Sequence, residues 1–177
     1  MKVRDSGMPD EEYWESLFDV PLVLSRLQID RFHDVAEFGC GYGTFTIPVA
    51  QRIGGTLYAF DVDPAMLART KERADGLRIE CRRRDVIEQG FGVQVDAALL
   101  FNILHCDDPK WLLGQAALAA PTVLAIHWRH GETPRGPSLD IRPRPEQIAA
   151  WAAAAGLQAG PPIDLPPWHF GLELQRS

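Results

Sequence analysis

Glycine stands at every second position from Gly39 to Gly43, directly behind the short, largely apolar run Val35–Phe38 and directly ahead of Thr44, Phe45 and Thr46. Backbone stripped of side chains at the end of a strand can turn sharply, and it lets a ligand reach main-chain atoms. The stretch VAEFGCGYGTFT therefore predicts a strand, a tight turn and a helix start, the corner at which α/β proteins bind nucleotide-like ligands. Taken alone, the glycines also admit a plainer reading, a turn that only lets a helix pack on its strand.

The rest of the chain alternates as such a corner requires. Strands are expected at 34–38, 57–60, 78–82, 95–101, 123–128 and near 170–175, and helices at 44–52, 64–74, 109–119 and 145–155. Strands separated by helices imply βαβ units and a doubly wound, mostly parallel sheet with helices on both faces. Ahead of it, acids in a first turn and Tyr13, Trp14, Leu17 and Phe18 on one side mark a helix at about 9–18, followed by a second at about 21–27. Asp63 before Pro64 reads as a helix cap rather than a second ligand for a sugar. Pro48 falls inside the 44–52 helix, where it is expected to bend the axis. A length of 177 residues suits one domain, 1–177, with an N-terminal helical cap over 1–30 and an α/β core over 31–177.

Charge and cysteine usage narrow the partners. Eighteen basic against twenty-four acidic residues leave a net charge of −6, which argues against nucleic acid. Three cysteines, Cys40, Cys81 and Cys106, lie far apart and suggest neither a zinc site nor a disulfide framework, so no metal is expected. The first twenty residues have scattered charges and no apolar core of a signal peptide. No apolar run reaches the roughly 18 residues that span a bilayer. A soluble, cytoplasmic protein without a membrane partner is the expectation, with its oligomeric state left open.

Glu37 says more than the glycines. A dinucleotide fingerprint places its third glycine at position 44, but that residue is Thr44 and the glycine comes earlier, at Gly43. A dinucleotide would also bring a diphosphate beside the Glu37 carboxylate, a repulsion of about 1 kcal/mol in a wet site and more in a drier one. S-adenosylmethionine carries instead an ammonium and a sulfonium, and no phosphate. Asp61, at the end of the next strand, is suited to accept hydrogen bonds from both ribose hydroxyls, with Val62 against the adenine ring. After the third strand, Asp85 is placed to accept from the adenine amino group and Val86 to offer its N–H.

In this order and at these intervals, EFGCGYG, AFDVDP, RRDV and LLFNILH resemble the motifs of the class I, Rossmann-like S-adenosylmethionine-dependent methyltransferases, over about residues 30–130. The resemblance implies that Glu37, Gly39, Gly41 and Gly43 hold the methionyl part of the cofactor, Asp61 the ribose, and Asp85 with Val86 the adenine. It implies a seven-stranded sheet in the order 3214576 whose last strand, antiparallel, is supplied by HFGLELQ. The LRPGG-like turn of many members is missing, since QAALAAPTVL has only Pro121, which is expected to matter for structure alone.

The acceptor side is less defined. His105, after the fourth strand, could serve as a general base, bind the substrate, or begin a helix-capping turn. Asn102 is read as supporting cofactor or substrate through its amide, and Asp107 and Asp108 as a helix cap with a first-turn charge. His127 and His130 flank Trp128 and Arg129 without a third metal ligand, so Trp128 or His130 is expected to line the substrate cavity. A loop at 129–145 carries Arg135, Arg142 and Arg144, which are either solvated or clamp an anionic group on the substrate, Arg144 being the candidate named. Tyr13 and Trp14 are expected to face inward as part of a lid. Pro166–Trp168 differs from the NPPY-type motif in its leading Leu165 and its position, and reads as a turn into the last strand.

The expected function is transfer of a methyl group from S-adenosylmethionine to a small-molecule acceptor, with no nucleic-acid partner. Two alternatives stand beside it: an NAD(P)-dependent oxidoreductase on the same corner, and a catalytically silent S-adenosylmethionine-binding regulatory domain.

Overall fold

The computed structural model describes residues 8–177. The first helices, α1 (Glu11–Ser16) and α2 (Val20–Arg26), precede an alternating series: β1 (Val35–Phe38), α3 (Thr46–Ala50), β2 (Leu57–Asp61), α4 (Pro64–Arg73), β3 (Ile79–Arg83), α5 (Val86–Gln89), β4 (Ala97–Phe101), α6 (Pro109–Ala119) and β5 (Thr122–Trp128). After α7 (Pro145–Ala154), the strands β6 (Leu157–Ala159), β7 (Ile163–Leu165) and β8 (His169–Arg176) close the chain. Of the expected cap at 1–30, residues 1–7 lie outside the described residues.

The strands form one sheet of eight in the order β3-β2-β1-β4-β5-β8-β6, with β7 also on β8. The first five are parallel to their neighbours, and β8 runs antiparallel to β5, with Trp128 opposite His169. This is the expected 3214576 order, with one refinement. Its sixth strand is broken in two, because β6 pairs with the C-terminal half of β8 and β7 with the N-terminal half. Between them lie Gly160, Pro161 and Pro162. Proline has no N–H to give the ladder, so pairing stops there and resumes at Ile163.

Alternate residues of each central strand feed opposite layers. Ala36, Phe38, Ala98, Leu100, Val123 and Ala125 pack toward Leu112, Leu113 and Ile148 of α6 and α7. Val35, Ala97, Leu99, Leu124 and Ile126 pack toward Leu24 of α2, Val49 of α3 and Leu67 of α4. Both faces of a parallel sheet are thus covered, which is why these strands read as apolar runs rather than as alternation.

Helix α3 departs from the expected 44–52 helix with a bend at Pro48. It is only five residues long, and Pro48 is its third. Ile47 N and Val49 N on either side donate to Gly43 O and Phe45 O, so the missing N–H of Pro48 takes one bond out of the ladder and the regular helix begins only at Thr46. The other starts follow their acids: the side chains of Asp10, Asp19, Asp63, Asp85 and Asp108 each accept from a backbone N–H as N-caps.

Candidate functional site

A cavity of about 810 Å³ opens over the C-terminal ends of β1, β2, β4 and β5. Its floor is Glu37, which is 2% exposed and accepts a hydrogen bond from Thr46 Oγ1 at 2.6 Å. Burial drives the Glu37 carboxyl up to about 8, and the nearby Asp61 charge adds to the rise against the Thr46 bond. The standing anionic wall expected from sequence is therefore a carboxyl that holds its proton near neutral pH until a cation arrives to draw it off. Asp61 is also raised, by burial, although the N–H groups of Asp63 and Gly41 hold its two oxygens at 3.0 Å.

The glycine loop turns its own amides inward. Gly39 N and Cys40 N donate to Phe60 O, Gly41 N to Asp61 Oδ2, and Gly43 N to Cys40 O. Gly39 and Gly41, with φ of +80° and +55°, line the cavity, and an added Cβ at Gly39 would come within 3.0 Å of Ile103. Gly43 does not line it; it makes room for Thr70 of α4, 3.2 Å from where its Cβ would sit.

On the β4 side, Asn102 takes φ +54° and points both amide atoms into buried space without a hydrogen-bond partner. Such an amide costs free energy until something polar meets it, and Asn102 lines the cavity. His105 lines it too, and its Nδ1 lies 3.3 Å from Nε2 of His127 on β5. His127 is fully buried; that burial, followed by the His105 charge, lowers it to about 3 and keeps it neutral.

The opposite wall is aromatic. Trp14 of α1 packs edge-on against Trp128 at 6.4 Å and against Phe18 at 5.0 Å, and Phe18 stacks on His169 at 4.5 Å. Ion pairs hold α1 over the site: Glu11 accepts from Arg69 and Arg73, Glu15 accepts from Arg73, and Arg73 also donates to Tyr42 O. The cavity is closed by residues 133–142, which wrap around Arg142. Its guanidinium donates to the carbonyls of Arg129, Gly131 and Pro137 and to the Thr133 hydroxyl, at 2.6–3.0 Å.

Of the residues singled out by sequence, Trp14, Glu37, Gly39, Gly41, Asp61, Val62, Asn102, His105 and Trp128 meet at this cavity. Others do not line it. Asp85 caps α5 by accepting from Ile87 N, and Val86 is fully buried in the core beside α6. Tyr13 is 39% exposed rather than inward, because Trp14 takes the face of α1 that meets the sheet. His130 lies 3.1 Å from Leu139 O, and Arg144 is an exposed residue at the start of α7, so the arginines at the cavity are Arg135 and Arg142 instead. Sequence reasoning missed Thr46, Cys40, Phe45 and Met66; Thr46, nine residues past Glu37, donates to it, Cys40 Sγ lies 4.0 Å from Asp61 Oδ2, and no local signal marks either role. No helix among the described residues is long and apolar enough to cross a membrane.

Comparison with known proteins matches this geometry. The family profile described as "Methyltransferase domain" matches residues 35–120. A SAM-dependent methyltransferase from Aquifex aeolicus has a similar structure, with a TM-score of 0.81 at 22% identity over 95% of this chain and 94% of that one. So has NcsB1, an O-methyltransferase from neocarzinostatin biosynthesis solved with S-adenosylhomocysteine and 1,4-dihydroxy-2-naphthoic acid, with a TM-score of 0.75 at 16% identity over 88% of this chain and 52% of that one. In sequence, 55 residues are 44% identical to a 23S rRNA uracil C5-methyltransferase of Alcanivorax borkumensis, 31% of this chain but only 12% of that protein.

Proposed function

We propose that the chain, whose residues 35–120 match the methyltransferase-domain profile, is a class I, Rossmann-like S-adenosylmethionine-dependent methyltransferase that transfers the cofactor's methyl group to a small organic acceptor. One observation carries this reading: a buried carboxyl, Glu37, lies under a glycine loop whose amides are spent on Phe60, Asp61 and Cys40. Such a floor attracts an ammonium and offers a diphosphate no row of free N–H groups.

The residues fit the cofactor as follows. Glu37 with Gly39 and Gly41 takes the methionyl end, giving up its proton as the ammonium approaches. The orphaned amide of Asn102 gains polar partners at the same end. Asp61 meets the ribose and Val62 the adenine. When bound, S-adenosylmethionine supplies an electrophilic methyl carbon, so the acceptor's lone pair forms the new bond while the carbon–sulfur pair leaves with a neutral thioether. The chain then has mainly to orient the acceptor and exclude water. Trp14, Trp128 and residues 133–142 do both, and His105 lies where it can take a proton from, or donate a hydrogen bond to, an acceptor oxygen.

A cavity of about 810 Å³ for cofactor and acceptor together suits a small molecule. NcsB1, bound to a hydroxynaphthoic acid, supports a small aromatic acceptor, while the Alcanivorax relative raises RNA as the other class. Isothermal titration is expected to give micromolar affinity for S-adenosylmethionine and none for NAD. Binding of NAD alone would overturn the reading. Transfer of labelled methyl to rRNA, but to no member of a small-acceptor panel, would overturn the acceptor class.

A further inference from the structure

The acceptor half of the cavity holds a charge that the described residues leave without a counter-ion. Arg142 is 7% exposed and lines the cavity. All its described partners are neutral oxygens: three carbonyls and one hydroxyl. Carbonyl dipoles satisfy a guanidinium's N–H groups, but they do not cancel its charge, and a buried charge is ordinarily paired. Its field is felt nearby. Burial first, then the charges of Arg129 and Arg142, hold the buried His169 down to about 3.

Charge is distributed unevenly over the cavity. Glu37, Asp61 and Asp63 lie at the ends of β1 and β2, whereas the closing segment 133–142 presents Arg135 and Arg142 and no acid to the lining. Asp107, beyond β4, is the only other lining acid among the described residues. Beside Arg142 the walls are flat and apolar: Trp128 and Gly136 touch the guanidinium's surroundings, with an added Cβ at Gly136 falling 2.9 Å from both Arg142 and Trp128. Phe45, Phe101, Leu139 and Ile141 complete the apolar lining.

We propose that the methyl acceptor is a small aromatic carboxylate, bound with its ring between the apolar walls and its anionic group toward Arg142 and Arg135. The inference rests on the methyltransferase reading above and names the substrate class of that site. A single negative charge fits better than a phosphate's two, because four of the five N–H groups of Arg142 are already engaged by neutral oxygens, which leaves no pair for a two-pronged clamp. Arg142 supplies field instead. The carboxylate also gives Arg142 the counter-charge that its described partners do not supply.

The test uses the full chain saturated with S-adenosylhomocysteine and titrated calorimetrically with hydroxybenzoates, their amides and phenyl phosphate. At least one hydroxybenzoate is expected to bind about tenfold or more tightly than its amide, with the gap narrowing as salt rises. Arg142→Gln and, as a variant outside the loop's hydrogen-bonded centre, Arg135→Gln are each expected to narrow that gap, while S-adenosylhomocysteine still binds and so reports the fold. Amides binding as well as acids, phenyl phosphate binding more tightly, no acid binding at all, or a gap that both variants leave unchanged would each overturn the proposal. Failure of S-adenosylhomocysteine itself to bind would instead overturn the methyltransferase reading beneath it.

Discussion

Glu37, the proposed partner of the cofactor's ammonium, is expected to couple ligand binding to a proton. Its carboxyl titrates at about 8 in the free protein, so at neutral pH the ionised form that an ammonium needs must first be made. Each pH unit below that value costs about 1.4 kcal/mol. Affinity for S-adenosylmethionine is therefore expected to rise by up to about tenfold per pH unit between about pH 6 and 7.5, with a proton released on binding that calorimetry in buffers of different ionisation heat detects. Glu37→Gln is expected to weaken binding about tenfold to a hundredfold at pH 7.5 and to remove that slope, since it deletes a charge-assisted bond. Glu37, Asp61 and Asn102 were legible in the sequence because they lie at, or within one residue of, strand ends, where side chains have few places to go. Asp85, two residues past the end of β3 and directly ahead of α5, caps that helix instead, because a carboxylate ahead of a helix start satisfies whichever N–H lies nearest. Arg142 and Arg144 cannot be told apart in a proline-rich segment with no period; only the wrapped carbonyls distinguish them.

At the scale of elements, α1 is held over the site by charge more than by packing, since none of its own residues is buried. Arg73 gathers Glu11, Glu15 and Tyr42 O in half-buried pairs that water still reaches, so each remains modest and is partly screened by salt. Arg73→Met is expected to raise the dissociation rate of S-adenosylhomocysteine about twofold to fivefold in stopped-flow measurement, and high salt to do the same to the unaltered protein but little to the variant. Pro48 invites the opposite test. Its missing N–H breaks the ladder between Ile47 N and Val49 N, so its replacement by alanine is expected to stabilise the fold by up to about 3 kcal/mol in urea denaturation. The long helices were legible almost to the residue, because Asp-Pro starts mark α4 and α6. The pieces β6 and β7, three residues each, were not, because strands so short carry no period and owe their pairing to β8.

For the whole molecule, two opposed titrations set a window of stability. His127 and His169 are each held down to about 3, so the folded state takes up protons less readily than the unfolded chain; their contribution is present above the ordinary histidine value and is lost as pH falls toward 3. Glu37, raised to about 8, works the other way: its contribution is complete below the ordinary carboxyl value and is lost as pH rises through about 8. Thermal denaturation is expected to give a maximum near about pH 6.5, and Glu37→Gln to flatten the alkaline side and steepen the rise between about pH 4.5 and 6.5. The architecture itself was legible because βαβ alternation leaves few topologies open, and the order of the sheet follows from it once the last strand reverses. The closing segment 129–145 has no such constraint, and its shape comes from one arginine's hydrogen bonds.

The interruption at Pro161 and Pro162 also bears on how molecules meet in a crowded solution. A long, unbroken outer strand is a template on which a neighbour's strand can add, and from which fibrils grow. At one margin of this sheet the template is cut to lengths of three residues, and at the other β3 presents Glu80, Arg82 and Arg83. Neither margin recruits a stranger easily, so replacing both prolines with valine should make the protein precipitate on mild heating well before its fold is lost.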